Sequence, residues 1–189
     1  MNRFIGDIHF SHSNILAYDN RPFSTPDENN KTIIDRWNDV VNIDDTTYIL
    51  GDVSHDNVTR TTEMINQLNG NKILVVGNHD RRFLKNKFFR NAFIEICDYK
   101  ELDIENGKKL ILCHYPIMCY KASYNPNCYM LHGHTHTTRE QAFVEKWTKE
   151  LRDSRNSNSD SCGNIINVGC MMPYMEYSPK TLDEILKRS

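Results

Sequence analysis

Short apolar runs and longer amphipathic segments alternate along the first half of the chain. The runs have the length of buried strands, and the longer segments repeat their apolar residues every three or four positions, as helices do. The pattern predicts strands at residues 4–5, 47–50, 72–76, 93–97, 100–104, 109–113, 128–131 and 164–168. It predicts helices at residues 13–18, 27–41, 58–68, 81–89, 139–152 and 182–187. Because strands dominate the second half, with a hairpin turn at Asn106-Gly107, we expect an α/β layered fold.

The length and composition narrow the class of protein. The chain has 189 residues, which fits a single domain over 1–189 because roughly 150 residues is the usual domain size. We expect a polar insertion or loop at about residues 139–163, either solvated or overhanging the site, where a charged helical pattern runs into the low-complexity stretch 153–160. The formal net charge of −2 excludes a strongly basic nucleic-acid-binding module.

Location in the cell is predicted from three further features. No apolar run approaches the ~18 residues that a membrane helix needs, and the first residues lack the pattern of a secretory signal. The 6 cysteines contain no Cys-x-x-Cys pair. We therefore expect a cytoplasmic protein with reduced thiols and no membrane partner.

Polar motifs follow five of the predicted strands. They are Gly6-Asp7-Ile8-His9, Gly51-Asp52, Gly77-Asn78-His79-Asp80, Cys113-His114 and Gly133-His134-Thr135-His136. Each motif alone is compatible with a helix cap, a turn or a core histidine. Together they indicate a metal site, because ligands collect at the carboxyl ends of strands and buried polar groups need partners. Oxygen and nitrogen donors of this kind suit Mn, Fe, Zn, Co or Ni.

The order of these motifs resembles that of the calcineurin-like metallophosphoesterase superfamily. The resemblance spans Asp7 to His136, and Asn167-Val168-Gly169 is similar to the closing strand of the family. It implies an α/β fold with two packed mixed β-sheets, a β-sandwich core, flanked by helices, and a dinuclear metal site. The long opening motif and Arg21-Pro22-Phe23 are similar to those of small stand-alone bacterial and phage phosphoesterases.

The resemblance also implies a role for individual residues. The ligands of one ion would be Asp7, His9 and His136, those of the other would be Asn78, His114 and His134, and the bridging carboxylate would be Asp52. The expected catalytic residues are His79, beside the substrate, and its orienting partner Asp80.

Three basic residues close to the motifs are further candidates for substrate contacts: His12, Arg21 and Arg81. His12 lies in the loop after the first motif, and Arg81 offers a guanidinium group beside the third. Arg21 could reach substrate from its loop or be an ordinary surface arginine.

The expected activity is metal-dependent hydrolysis of a phosphate ester. Two divalent ions (Mn, Fe, Zn or Ni) would clamp the phosphate and activate hydroxide, while His79 assists the leaving group. Protein phosphatases of the superfamily carry Asp-Arg-Gly after the second Gly-Asp, whereas Gly51-Asp52 is followed here by Val53-Ser54. We therefore favour a small phosphodiester as substrate. The alternatives are a phosphomonoesterase or nucleotide phosphatase, and a non-catalytic metal-binding scaffold; the balanced charge does not support long nucleic acid as a partner.

Overall fold

Two four-stranded sheets form the centre of the molecule. A computed structural model describes residues 1–187. In the first sheet, β1 (Asn2–Ile5), β2 (Thr46–Ile49), β3 (Asn71–Val75) and β4 (Glu95–Cys97) lie side by side in that order, all parallel. In the second, β5 (Tyr99–Asp103) pairs antiparallel with β6 (Lys109–Cys113), and β7 (Cys128–His132) and β8 (Ile165–Asn167) continue in parallel. The α/β class with two sheets is confirmed; the first sheet is wholly parallel and only the second is mixed.

Six α-helices connect and cover these strands. They are α1 (Ser13–Tyr18), α2 (Pro26–Val40), α3 (Val58–Ile65), α4 (Lys87–Asn91), α5 (Arg139–Asp153) and α6 (Leu182–Leu186), within the described part of the chain. Their starts follow from local chemistry. The Thr25 hydroxyl accepts from the Glu28 amide ahead of Pro26, and the Asn57 side chain accepts from the Arg60 amide, so each satisfies an amide that the helix leaves free.

The single helix predicted for residues 81–89 is wrong. The structure has a short 3₁₀ turn at Arg81–Phe83 and then α4, which begins anew at Lys87. The reason is Asn86, whose side chain accepts hydrogen bonds from the amides of Phe88 and Phe89 and so caps the second helix.

One hydrophobic core joins the two sheets. Phe4 and Leu74 of the first sheet, Leu110 and Leu131 of the second, and Trp37 of α2 are buried in the same cluster. The bridge between Gly6 and Gly169 then links the loop after β1 to the loop after β8. This packing brings the carboxyl ends of strands from both sheets to one edge.

The segment 139–163 is a packed helix followed by a loop. Val144 and Thr148 of α5 are buried, and Val144 belongs to a second cluster with Ile111, Met130 and Ile165 of the second sheet. The helix therefore packs on that sheet. Among the described residues, no helix is long and apolar enough to cross a membrane.

Candidate metal centre

The structure brings the strand-end motifs together. Asp7 follows β1, Asp52 follows β2, Asn78 follows β3, His114 follows β6, and His134 and His136 follow β7. Parallel strands end at the same edge of a sheet, and the two packed sheets place their edges side by side. Residues separated by more than a hundred positions therefore face one another.

One group of candidate ligands combines two carboxylates and two imidazoles. One ligand atom from each residue lies within 4.8 Å of the others in the set Asp7, His9, Asp52 and His136, and all four residues are buried. His9 Nε2 lies 3.5 Å from Asp52 Oδ2, and His136 Nε2 lies 3.9 Å from Asp7 Oδ1. These separations leave room for a cation between the donor atoms.

A second group shares Asp52 with the first. It contains Asp52, His114 and His134, again with ligand atoms within 4.8 Å of one another. His114 Nε2 lies 3.6 Å from Asp52 Oδ2 and 3.1 Å from Asn78 Oδ1, so Asn78 joins this group. One Asp52 oxygen thus faces histidines of both groups.

The donor atoms fit divalent cations. His9 Nε2 is buried and has no hydrogen-bond partner in the described part of the chain, which is costly for a polar atom unless a ligand uses it. Burial raises the pKa of Asp7 and of Asp52, and it lowers the pKa of His9 to well below its usual value. Buried carboxylates and imidazoles that converge on one volume offer oxygen and nitrogen lone pairs to a cation.

The backbone at this site is strained. Five candidate ligands have left-handed φ angles: Asp7 (52°), His9 (51°), Asp52 (55°), His134 (66°) and His136 (47°). Each such residue costs about 1–2 kcal/mol. The conformation aims side chains from tight turns into one volume, so the strain is part of how the ligands are presented.

Two glycines make room for that arrangement. A methyl group at Gly51, where φ is 82°, would lie 2.3 Å from His114 Nδ1. One at Gly133 would lie 2.6 Å from Asp7 Oδ2. A side chain at either position would therefore displace a candidate ligand.

Hydrogen bonds from the surrounding protein orient the ligands. His114 Nδ1 lies 2.8 Å from the Leu50 carbonyl oxygen, to which it can only donate, so its Nε2 keeps the lone pair that faces the site. The His134 amide donates to both Asp7 oxygens at 3.0 Å, and the His79 amide donates to Asp52 Oδ1 at 2.9 Å. The ligand side chains are thus held by hydrogen bonds with backbone groups of the neighbouring loops.

His79 stands at the rim of the site, with 34% of its side chain exposed and its Nε2 3.9 Å from Asp52 Oδ2. The expectation that Asp80 orients its ring does not match the geometry. The buried Asp80 carboxylate accepts hydrogen bonds at 2.9 Å from the amides of Asp52, Val53 and Gly77. Asp80 therefore fastens two motif loops to each other.

The three candidates for substrate contacts have different surroundings. His12 lines the cavity at the site and stacks on His55 with ring centroids 4.1 Å apart; burial and the nearby His55 lower its pKa to about 4. Arg81 points outward to Asp98, at 2.8 Å. Arg21 is buried, and its side chain contacts protein groups behind the site. Of the three, only His12 lines the cavity at the site.

Sequence reasoning missed two residues. Asp19 is fully buried with Oδ1 2.9 Å from His136 Nδ1, although 117 residues separate them in the chain. Tyr18, which is 60% exposed, presents its ring edge-on to His136 at 5.6 Å. The only signal for either was their place beside Arg21-Pro22-Phe23, because neither belongs to a strand-end motif.

An open cavity of about 310 Å³ lies over the ligand groups, lined by residues that include His12, Tyr18, His79 and Asn78. Aromatic and imidazole rings form the sides of this cavity, and candidate metal ligands form its base. A cavity of this size and lining suits a small ligand that carries an anionic group. The fold and the site together define a metallophosphoesterase architecture.

The chain belongs to the calcineurin-like phosphoesterase family, whose pattern it matches over residues 3–188. It is similar to the uncharacterized protein MJ1445 of Methanocaldococcus jannaschii, with 33% identity over 97% of this chain and 88% of that protein. It is 24% identical to the Gene 66 protein of Mycobacterium phage D29, over 71% of this chain and 77% of that protein.

A solved structure shares the fold along nearly the whole chain. The crystal structure of the protein of unknown function AQ665 from Aquifex aeolicus superimposes with a TM-score of 0.69 and 29% sequence identity. The match covers 99% of this chain and 98% of that one. The fold implied by the motif resemblance is therefore confirmed.

Proposed function

We propose that this protein hydrolyses small phosphate esters, phosphodiesters in particular, at a centre that holds two divalent metal ions. The observation that carries the proposal is the pair of ligand groups that share Asp52. Asp7, His9 and His136 complete one group, and Asn78, His114 and His134 complete the other. A shared carboxylate between two sets of N and O donors is the arrangement that two-metal hydrolases use.

Bound ions would supply Lewis-acid stabilisation of a phosphoryl group and a water of lowered pKa. The protein supplies position and charge. Asp7 and Asp52 place negative charge in a buried volume, where they favour cations, and the left-handed turns hold them there.

His79 is assigned to the leaving group. Its amide is fixed to Asp52, and its partly exposed ring stands at the cavity wall. From that position the imidazole can donate a proton to an alkoxide as the ester bond breaks, or bind a phosphoryl oxygen. Asp80 assists indirectly by holding the loop that carries His79.

The preference for diesters is supported by the shape of the cavity mouth. His12 stacked on His55 lies on one side of His79, and Tyr18 stands beside His136. These rings offer flat surfaces to a group on either side of a phosphate, whereas the described residues of the cavity include no lysine or arginine to bind the extra charge of a monoester.

The test is hydrolysis of bis(p-nitrophenyl) phosphate and of p-nitrophenyl phosphate by the purified protein with Mn²⁺. We expect turnover of the diester to exceed that of the monoester, and His79→Ala to lower kcat by about 10²–10⁴-fold with unchanged metal content. A monoester preference would favour the phosphomonoesterase or nucleotide phosphatase alternative. If metal is bound and neither ester is hydrolysed, the protein is a metal-binding scaffold.

A further inference from the structure

A buried ion pair lies directly behind the first ligand group. Asp19 directly follows α1. The side chains of Asp19 and Arg21 have no exposed surface, and Arg21 NH2 lies 3.0 Å from Asp19 Oδ2. Buried ion pairs contribute little to stability on average, because desolvation offsets their attraction. The contacts that this pair makes with the candidate ligands point to another role.

Asp19 fixes the ring of His136. Its two carboxylate oxygens lie 2.9 and 3.1 Å from His136 Nδ1. A carboxylate can only accept, so Asp19 holds a proton at Nδ1 and leaves Nε2 as the nitrogen that can bind a cation. Nε2 is the atom that faces Asp7 at 3.9 Å. Asp19 therefore sets both the tautomer and the direction of this ligand.

Arg21 connects Asp19 to the opposite side of the same ligand group. Its guanidinium group donates to the carbonyl oxygens of Asp7 at 2.8 Å and Ile8 at 2.9 Å, and to Asn29 Oδ1 at 3.2 Å. Its Nε donates to Asp19 Oδ2 at 3.0 Å. With the ion-pair contact between NH2 and Asp19, each nitrogen of the guanidinium group has a protein partner, and the Arg21 side chain has no exposed surface to offer a substrate.

The two carbonyls that Arg21 binds belong to the strained turn. Asp7 and His9 both have left-handed φ angles, and the bonded carbonyls of Asp7 and Ile8 lie between them. Hydrogen bonds to fixed partners are what hold such a conformation against its intrinsic cost. A lysine could supply charge here but lacks the planar fork that reaches three acceptor groups at once.

We propose that Asp19 and Arg21 are positioning residues for the metal ion held by Asp7, His9, Asp52 and His136: Arg21 holds the Asp7–His9 turn, Asp19 holds His136, and their ion pair sets the two at a fixed separation. The proposal rests on the proposed metal centre. It predicts a loss of metal affinity greater than that caused by removing a comparable ion pair elsewhere.

The chain offers a matched control at the other end of β1. Arg3 and Asp45 are also buried, with Arg3 Nε 3.6 Å from Asp45 Oδ2. Their other partners are not candidate ligands: Asp45 binds the N-terminus, and Arg3 donates to the Pro179 carbonyl oxygen. Asp19→Asn and Arg21→Lys can thus be compared with Asp45→Asn and Arg3→Lys. Asp→Asn keeps the side-chain size and Arg→Lys keeps the charge, and each substitution changes one partner of a buried pair.

The experiment measures Mn²⁺ affinity and stoichiometry by titration calorimetry on protein shown to be folded by circular dichroism. We expect Asp19→Asn to weaken binding of one ion about 10–100-fold, as loss of a carboxylate behind a histidine ligand does. Arg21→Lys should act in the same direction. The two controls should lower the melting temperature and leave Mn²⁺ affinity within about 2-fold of wild type.

A double-substitution cycle tests whether Asp19 acts through His136. In a His136→Ala background, Asp19→Asn should change Mn²⁺ affinity by less than about 2-fold, because its target is gone. Equal Mn²⁺ affinity of Asp19→Asn, Arg21→Lys and wild type would overturn the proposal, as would a wild type that binds no Mn²⁺. A wild type that binds Mn²⁺ but hydrolyses no ester would instead refute the proposed activity, which these readouts do not use.

Discussion

Replacement of Gly51 by alanine tests how closely the ligand loops are packed. The residue has a φ of 82°, and a methyl group there would lie 2.3 Å from His114 Nδ1 and 2.7 Å from the Gly77 Cα. The left-handed backbone costs an alanine about 1–2 kcal/mol. Movement of the His114 ring loses its hydrogen bond to Leu50, worth about 1 kcal/mol, and the clash with the Gly77 backbone adds about 1–3 kcal/mol of overpacking. Together these contributions predict a loss of about 3–6 kcal/mol of unfolding free energy.

Substitution of Gly107 is the control that separates the cost of the steric clash from the cost of the left-handed backbone. Its φ is 70°, and a methyl group there would have nothing within 4 Å, so Gly107→Ala should cost only the left-handed term. Urea unfolding of both variants in EDTA, which removes any effect of lost metal, gives the comparison. In thermal unfolding, 1 kcal/mol corresponds to about 2–4 °C for a domain of this size, so the melting temperature of Gly51→Ala should be at least about 4 °C below that of Gly107→Ala. Equal losses in the two variants would refute the packing argument.

Three other predictions concern the metal and the cavity. Mn²⁺ at about 100 times its dissociation constant should raise the melting temperature by about 5–10 °C, and Asp52→Asn should reduce this shift because both ligand groups use Asp52. Mn²⁺ affinity, measured by calorimetry, should fall on acidification at a pH above the usual titration range of aspartate. Burial raises the pKa of Asp7 and of Asp52, so protons compete with the ion for these carboxylates at a higher pH than for exposed aspartates. A Mn²⁺ affinity that does not change down to pH 4 would contradict this prediction. Tyr18→Leu should raise KM for bis(p-nitrophenyl) phosphate more than for methyl p-nitrophenyl phosphate, with similar kcat, and equal effects on both would exclude stacking on Tyr18.

The parts of the fold that depend on local pattern were predictable from the sequence. The helix at Ser13–Tyr18 and the strand at Lys109–Cys113 have the predicted bounds, because apolar spacing and flanking turn residues decide them. The break in the helix predicted over 81–89 was not predictable, because the hydrophobic pattern runs through Asn86, where a side-chain cap begins a new helix. Where a short polar side chain caps a helix, periodicity alone does not show it.

The candidate site was also predictable only in part. The candidate ligands lie in the loops that directly follow strands, so the order of the strands in the two sheets is enough to bring them together. Asp19 has no such signal, because its partner His136 lies 117 residues away and the contact exists only in the folded chain. The same holds for the surroundings of Arg21 and Asp80, whose partners include backbone groups of other loops. A sequence shows which residue types are present in those loops but not which backbone atoms they reach.

The residues that hold the site are distinct from those that would bind metal. Five ligands in left-handed conformations, at about 1–2 kcal/mol each, represent a strain comparable to the net stability of an ordinary domain. Asp80 binds three backbone amides and Arg21 binds two backbone carbonyls of these turns, and neither is a candidate ligand. Protein hydrogen bonds therefore supply the ordering that a flexible site would take from its ion. Less of the free energy of metal binding is then spent on arranging the chain, so substitutions at Asp80 and Arg21 should weaken metal binding without removing a single ligand atom.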